Sequence, residues 1–215
     1  KNFDKHIQKS VPYYKDAQEI FLGLSDFFLQ DKSRVIDLGC STGTFINLLY
    51  ERHIDNEKKI SFEGLDTVHE MILECKKKYK KKNLKFKKLD INKYNLKNAC
   101  IISSFYTIQF ISPKLRQDLI KKIYNGLNWG GAFFFVEKVR ANDARFQDIF
   151  NQSYIDFKLK QGFSNNDILN KSRSLKSVLE PFSTKGNMDL LKRAGFEDVI
   201  TVFKYLCFEG FLAIK

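Results

Sequence analysis

Small and acidic residues that could bind a ligand follow an apolar run at residues 35–45, "VIDLGCSTGTF". Gly39 and Gly43 supply backbone that a ligand can approach closely, and Asp37 can orient the turn. In a parallel sheet, a ligand binds at the carboxyl end of the first strand, against such a turn and the amides of the next helix. The stretch therefore predicts a ligand-binding turn between a strand and a helix.

Two more acids follow later strand-like runs, Asp66 in "FEGLD" and Asp90 in "FKKLD". The first carboxylate can accept both hydroxyls of a ribose, and the second can reach the edge of an adenine. A single acid after a strand is equally well explained by the preference of turns for Asp. The ordered set with the glycine turn predicts a nucleoside pocket. The G-x-x-x-G spacing differs from dinucleotide and phosphate loops, which favours a ligand without a diphosphate.

The elements that must position these residues alternate between strand-like runs and helical patterns. This alternation predicts an α/β fold with a mostly parallel sheet and helices on both faces. "NWGG" at 128–131 is expected to end a helix, with Trp129 packed, and "VITVFKYL" and "CFEGFLAIK" to pair as a hairpin around Cys207. We predict a single domain over 1–215.

The segment at about 142–181 interrupts the alternation. Its apolar residues follow one helical stripe, at Phe146, Ile149, Phe150, Tyr154 and Phe157. We predict a helical insertion that folds over the strand ends as a lid, where substrate recognition usually occurs.

The charge and composition of the chain limit its partners. The net charge is +12, with much of the excess in the basic run Lys76 to Lys88, "KKKYKKKNLKFKK". We favour a solvated helix end and loop for this run, while an RNA contact stays open. The cysteines and histidines lack ligand spacing, which predicts reduced thiols and no metal. No apolar run approaches the ~20 residues of a membrane helix, so a cytoplasmic protein is expected.

The glycine turn and the three acids resemble those of class I S-adenosylmethionine-dependent methyltransferases. Within that superfamily, the chain resembles the carboxy-S-adenosylmethionine synthase (CmoA) family nearly end to end. The motifs that carry this resemblance include "QKSVPYY", "DLGCSTG", "GLDTVHEMI", "TIQFISPKLRQDLIKKIYNGLNWGGAFFFVEK" and "DFKLKQGFSN". The resemblance implies a Rossmann-like class I methyltransferase fold, with a mostly parallel seven-stranded sheet and an antiparallel C-terminal hairpin.

The family's reaction is implied by the same resemblance. S-adenosylmethionine and prephenate would give carboxy-S-adenosylmethionine and phenylpyruvate. A CmoB-type enzyme would then use the product to build the oxyacetic acid group on the wobble uridine of tRNA. A homodimer is also implied, with no membrane contact and no direct contact with tRNA.

The resemblance also implies roles for individual residues. Tyr14 is predicted to cover the cofactor, and the turn is predicted to contact it through Asp37, Gly39, Cys40, Ser41 and Gly43. Asp66 and Thr67 are predicted to bind the ribose, and Asp90 and Ile91 the adenine. Two further cofactor contacts are predicted at Phe105 and Ser172.

At two of these positions the chain departs from the family. Phe105 stands where the family has an asparagine that contacts the cofactor, and Tyr106 is predicted to take part of that role. Ser172 stands where the family has the arginine that pairs with the added carboxylate. If the lid shifts by one residue, Arg173 could bind that carboxylate in a bidentate manner. On an unshifted helix, one residue is a rotation of about 100°. The predicted catalytic residues are Arg173 and Tyr106.

Two other functions stay open. The departures at Phe105 and Ser172 suit an S-adenosylmethionine-dependent methyltransferase acting on a small molecule or tRNA. The basic run would suit an RNA-binding protein, although it contains few aromatic residues for stacking. Four charged residues near the predicted site are interpreted as surface or strand-end charges: Glu137, Lys138, Arg116 and Arg145.

Overall fold

The computed structural model describes residues 3–54 and 58–215. Residues 1, 2 and 55–57, which the single-domain prediction includes, lie outside the described residues. Within these ranges the strands are β1 (Arg34–Leu38), β2 (Ser61–Asp66), β3 (Leu84–Lys88), β4 (Ala99–Phe105), β5 (Leu127–Lys138), β6 (Asp198–Tyr205) and β7 (Phe208–Ile214). The α-helices are α1 (Phe3–Ser10), α2 (Tyr14–Leu24), α3 (Thr44–His53), α4 (His69–Lys78), α5 (Pro113–Gly126), α6 (Ala144–Lys160), α7 (Asn165–Ser174) and α8 (Thr184–Ala194).

The described strands form one sheet in the order β3-β2-β1-β4-β5-β7-β6. Strands β1 to β5 pair in parallel, and β7 runs antiparallel to both β5 and β6. This confirms the predicted α/β, Rossmann-like fold with its antiparallel C-terminal hairpin. The chain crosses from one half of the sheet to the other between β3 and β4, so the carboxyl ends of β1 and β4 flank a crevice where ligands bind in such folds.

Helices cover both faces of the sheet because their apolar stripes need burial. On one face, α5 and α8 bury Leu119, Ile123 and Leu191 against the strands. On the other face, α2, α3 and α4 bury their apolar side chains, including Phe21 and Leu49. The central strands carry apolar side chains on both faces, as expected for a sheet that is covered by helices on both faces.

The insertion is helical, as predicted, and consists of α6 and α7. Its apolar stripe is divided between two environments. Phe150 and Tyr154 pack against the β6–β7 turn and α1, whereas Phe146 and Ile149 are 52% and 48% exposed.

Three local expectations are wrong. Trp129 does not pack, because its side chain is 87% exposed in the irregular first part of β5. The helix before it ends already at Gly126, so 128–131 belongs to the strand. Arg116 is buried rather than a surface charge, because its guanidinium donates to the backbone oxygens of Ile111 and Gln109 at 2.8 and 3.1 Å.

Candidate functional site

The glycine turn follows β1 and leads into α3. Gly39 and Gly43 both have φ of +72°, a conformation that side chains rarely adopt. The amides of Gly39 and Cys40 donate to the Leu65 oxygen at 2.8 and 3.0 Å, which fixes the turn against β2. A Cβ atom at Gly39 would overlap the Thr107 side chain, and one at Gly43 would lie 2.7 Å from the Phe86 ring, so the protein itself approaches both glycines closely. Both glycines are therefore required by backbone conformation and by close contact.

Asp66, at the end of β2, holds the turn with part of its hydrogen-bonding capacity. Its carboxylate accepts the Ser41 amide at 2.8 Å and the Val68 amide at 2.9 Å. An ionised carboxylate has about four acceptor positions, so two stay available for hydroxyl donors. Thr67, the next residue, is exposed. The geometry suits a carboxylate that both orients the turn and accepts from a diol.

Asp90 lies two residues after β3, at the start of a short 3₁₀ helix (Ile91–Lys93). Its Oδ1 accepts the Asn92 amide at 2.9 Å, while Oδ2 has no hydrogen-bond donor among the described residues. Ile91 beside it is buried. An exposed carboxylate oxygen next to a buried apolar side chain can receive the amino edge of a base.

Asp37 lies under the turn rather than at its surface. Its carboxyl group is buried and accepts the Ser103 hydroxyl of β4 at 2.7 Å. Burial raises the pKa of Asp37 to about 7, the Ser103 hydrogen bond opposes this rise, and the charge of Asp66 adds to it. Asp37 thus ties β1 to β4 where the crevice opens.

Two cysteines complete the inner side of the turn. The Cys75 thiol of α4 donates to the Ser41 oxygen at 3.1 Å. Contact with Cys75 and burial raise the pKa of the Cys40 thiol. All four cysteines, each within the described part of the chain, are free thiols.

Four aromatic residues, Tyr14, Tyr106, Phe208 and Tyr154, form a continuous group that we call the aromatic cluster. The Tyr106 ring centroid lies 6.0 Å from those of Tyr14 and Phe208, and Tyr154 lies 5.2 Å from Phe208. Burial, then the charges of Asp37 and Asp4, raise the pKa of Tyr14. The cluster therefore extends from the glycine turn to the insertion.

Tyr106 has two unusual features. Its φ is +57°, a strained value for an aromatic residue. Its hydroxyl oxygen is buried and has no hydrogen-bond partner among the described residues. A buried polar group without a partner costs free energy, and such costs concentrate at functional sites. The Tyr106 hydroxyl is thus an available donor at the carboxyl end of β4.

The two departures from the family lie apart from the aromatic cluster. Phe105 turns its ring towards Phe45 and Phe21, with centroid distances of 4.3 and 5.4 Å, so it packs in the core. Ser172 and Arg173 lie on α7, where both are exposed. The structure does not bring Arg173 into contact with Tyr106.

Two acids that sequence reasoning did not select have central positions. Asp4 of α1 accepts the hydroxyls of Thr42 and Thr44 at 2.5 and 3.4 Å, which ties α1 to the turn. Glu137, interpreted from sequence as a surface or strand-end charge, is buried and accepts the amides of Ile108 and Gln109 at 3.0 and 2.7 Å. Burial raises the pKa of Glu137 to about 8, against these hydrogen bonds. The sequence signal that could have identified Glu137 as a site residue is its position at the carboxyl end of β5.

The residues around the turn fit S-adenosylmethionine. Asp66 and Asp90 offer free carboxylate positions, and Tyr106 offers an unpaired hydroxyl. Within residues 3–54 and 58–215, no group of three or more His, Cys, Asp or Glu side chains is arranged to hold a metal ion. None of the helices in those ranges is long and apolar enough to cross a bilayer.

The basic run forms the end of α4 and strand β3, at the edge of the sheet. A surface groove of about 450 Å³ follows it, lined by five lysines including Lys76 and Lys87, with Tyr79 and Phe86. Since the Phe86 ring also lies against Gly43, the groove borders the glycine turn from the edge of the sheet.

Comparison with known proteins places these features in a family. A family model described as "Methyltransferase domain" matches residues 35–131. Carboxy-S-adenosyl-L-methionine synthase of Staphylococcus epidermidis is 37% identical over 213 residues, which cover 99% of this chain and 92% of the relative. The enzyme of that name from Sulfurimonas denitrificans is 36% identical, with coverage of 99% and 90%.

Solved structures support the fold. A methyltransferase dependent on S-adenosylmethionine from Archaeoglobus fulgidus aligns over 100% of both chains with a TM-score of 0.66 and 14% identity. Human N-acetylserotonin methyltransferase, in complex with S-adenosylmethionine, aligns with a TM-score of 0.63 and 18% identity, over 92% of this chain and 51% of that one. These similarities show the methyltransferase fold.

Proposed function

Because the chain belongs to the carboxy-S-adenosyl-L-methionine synthase family and is a transferase that uses S-adenosylmethionine, we propose that prephenate is its carboxyl donor. The products would be carboxy-S-adenosylmethionine and phenylpyruvate. When the ring of prephenate becomes aromatic, its carboxyl group leaves as carbon dioxide. The ring hydroxyl leaves as water. The proton for that water comes from the sulfonium methyl, whose carbon then bonds to the carbon dioxide, so atoms and charges balance.

The observation that carries this proposal is the buried, unpaired hydroxyl of Tyr106 beside Tyr14. Burial raises the pKa of Tyr106 well above its ordinary value, so the hydroxyl stays protonated and can donate. A preorganised donor in a dry site stabilises negative charge that develops on a reacting carboxyl group. We therefore assign Tyr106 a catalytic role.

We propose that the turn and the strand ends bind S-adenosylmethionine. Gly39, Cys40, Ser41 and Gly43 would contact the methionine part, with Asp37 holding the turn from below. Asp66 and Thr67 would bind the ribose, and Asp90 and Ile91 the adenine, since each acid has a free acceptor position. Tyr14 would cover the cofactor, and its contact with Tyr106 supports this.

The transferred carboxylate needs a cation. We propose Arg173 for this role rather than Ser172, because a guanidinium binds a carboxylate through two parallel hydrogen bonds. This requires α7 to move, since Arg173 is exposed on that helix. Phe105 would contribute a ring that contacts the cofactor without a hydrogen bond.

We also propose the downstream use of the product. A CmoB-type enzyme would transfer it to the wobble uridine of tRNA in the cytoplasm, without direct contact between this chain and tRNA. A homodimer is proposed through α6, where Phe146 and Ile149 are about half exposed. Exposed apolar side chains that lie side by side on one helix face favour a protein–protein interface.

Mass spectrometry of the released nucleoside tests the proposed function. Purified protein is incubated with S-adenosylmethionine, with and without prephenate, and then denatured. We expect a nucleoside heavier than S-adenosylmethionine by one carboxyl group, formed only with prephenate. Release of S-adenosylmethionine or S-adenosylhomocysteine alone, unchanged by prephenate, would contradict the proposal.

A second candidate is supported by the positions of Phe105 and Arg173. Since Phe105 packs in the core and Arg173 is exposed, an S-adenosylmethionine-dependent methyltransferase of a small molecule or tRNA is the alternative. In that case, S-adenosylhomocysteine would accumulate when a methyl acceptor is added. The amount formed would not depend on prephenate.

A further inference from the structure

Two lysines from different elements meet at one aromatic ring. Lys138 ends β5, and its Nζ lies 4.7 Å from the centroid of Tyr154. Lys158 belongs to α6, and its Nζ lies 4.1 Å from the same centroid. The Tyr154 hydroxyl donates to the Ser10 oxygen of α1 at 2.8 Å, so the ring that both ammonium groups contact is itself held in place. Two positive charges are thus held against one ring.

No acid among the described residues forms an ion pair with either lysine. Burial and the charges of Lys138 and Lys171 lower the pKa of Lys158. Like charges held close together in a partly dry place repel each other, and a bound anion would relieve this repulsion. The arrangement therefore costs free energy that an anionic ligand would offset.

The lysine pair lies beside the aromatic cluster. Tyr154 contacts Phe208, which contacts Tyr106. Both lysines also act on the Cys207 thiol: burial raises the pKa of Cys207, and the charges of Lys138 and Lys158 oppose that rise. A ligand at the lysines would therefore lie next to the aromatic cluster that contains Tyr106.

We propose that Lys138 and Lys158 form an anion-binding subsite that holds a carboxylate of the carboxyl donor. This proposal rests on the proposed function, because it assumes that the carboxyl donor is a dicarboxylate. One carboxyl group is lost in the reaction, and the other stays on the product, so a donor of this kind needs a cation that does not take part in the transfer. Two ammonium groups supply up to six N–H donors for that second carboxylate. Lys138 and Lys158 are thus substrate-binding residues, distinct from Arg173.

Binding measurements with neutral variants test the subsite. Isothermal titration calorimetry, with saturating S-adenosylhomocysteine and fixed ionic strength, is used with prephenate and with malonate as a simple dicarboxylate. We expect Lys158→Gln and Lys138→Gln each to weaken the binding of the anion by about tenfold or more, because a charge-assisted hydrogen bond is lost. Lys160→Gln, an exposed lysine of the same helix, is the control and should leave binding unchanged.

The Kd for S-adenosylhomocysteine checks that each variant is folded, because neither lysine is among the residues proposed to bind the cofactor. Lys158→Arg, which retains the charge, should retain most of the anion affinity, and Lys158→Met offers a second neutral variant.

The outcomes separate the subsite from the proposed function. If prephenate binds with the same Kd to Lys158→Gln and to the native chain, the subsite is overturned while prephenate remains the donor. If malonate binds through the lysines and prephenate does not bind, the subsite stands and the proposed donor is wrong. If neither anion binds the native chain, the subsite is overturned.

Discussion

The Thr42 hydroxyl of the glycine turn donates a 2.5 Å hydrogen bond to the Asp4 carboxylate of α1. At its other end, α1 accepts the hydroxyl of Tyr154 at the Ser10 oxygen. The first helix therefore joins the turn to the insertion.

Asp4→Ala removes the contact between α1 and the turn. We expect it to weaken S-adenosylmethionine binding by about tenfold, since hydrogen bonds to a charged group contribute about 1.5 to 3 kcal/mol and Asp4 is partly exposed. Isothermal titration calorimetry measures the Kd. Asp16→Ala, at an exposed position of α2, is the control. Equal affinities for the two variants would show that the Asp4 contact does not support binding.

Tyr106→Phe removes the unpaired hydroxyl. We expect it to raise the free energy of unfolding by about 1 kcal/mol, because a buried donor without a partner is lost, and to lower kcat. Tyr154→Phe is the matched control: its hydroxyl has a partner, so the same change should lower stability by about 1 kcal/mol. Urea denaturation gives the stabilities. Destabilisation by Tyr106→Phe would mean that the hydroxyl has a partner in solution.

Gly39→Ala tests the close contact with Thr107. Gly130 provides the control, because it has nearly the same φ, +73° against +72°, but nothing within 4 Å of a Cβ. We expect Gly130→Ala to cost about 1 to 2 kcal/mol from backbone strain alone. Gly39→Ala should cost at least about 2 kcal/mol more because Thr107 must move. Thermal or urea unfolding measures the difference, and equal losses would contradict the contact.

Asp37→Asn tests the buried carboxyl group. Burial raises its pKa in the folded state to about 7 from an ordinary 3.8, so the folded state binds the proton more tightly than the unfolded state. Stability from this group is therefore complete below about pH 4 and is lost as pH rises to about 7, by about 4 kcal/mol.

The variant should flatten that slope, while retaining an acceptor for the Ser103 hydroxyl. Glu137, whose pKa burial raises from 4.5 to about 8, contributes a slope of its own over that range, so the variant should retain about half of the native slope. Urea unfolding at pH 4 to 8 measures the effect, and parallel curves for the two proteins would contradict a raised pKa for Asp37.

The fold and the glycine turn could be predicted because their signals are local. Gly39 and Asp66 follow apolar runs directly, and the carboxyl ends of parallel strands meet at one edge of a sheet. Asp4 could not be found in this way, because its partner Thr42 lies 38 residues away, and nothing in the charged start of the chain distinguishes it.

Buried charges were misjudged for a related reason. Glu137 and Arg116 belong to residue types that are mostly exposed, and their burial depends on backbone groups of the segment after β4. The pairing of Lys138 with Lys158 depends on how α6 folds back onto the sheet, which periodicity does not specify.

The position of the basic run has a consequence for the behaviour of the protein in a crowded cell. β3 is an edge strand, so one row of its amide and carbonyl groups faces no neighbouring strand. Such an edge can template pairing with another chain and start aggregation. Lys85 and Lys88 project from this strand into solvent, where a second copy would bring its own lysines against them. Repulsion between the copies would keep the edge unpaired.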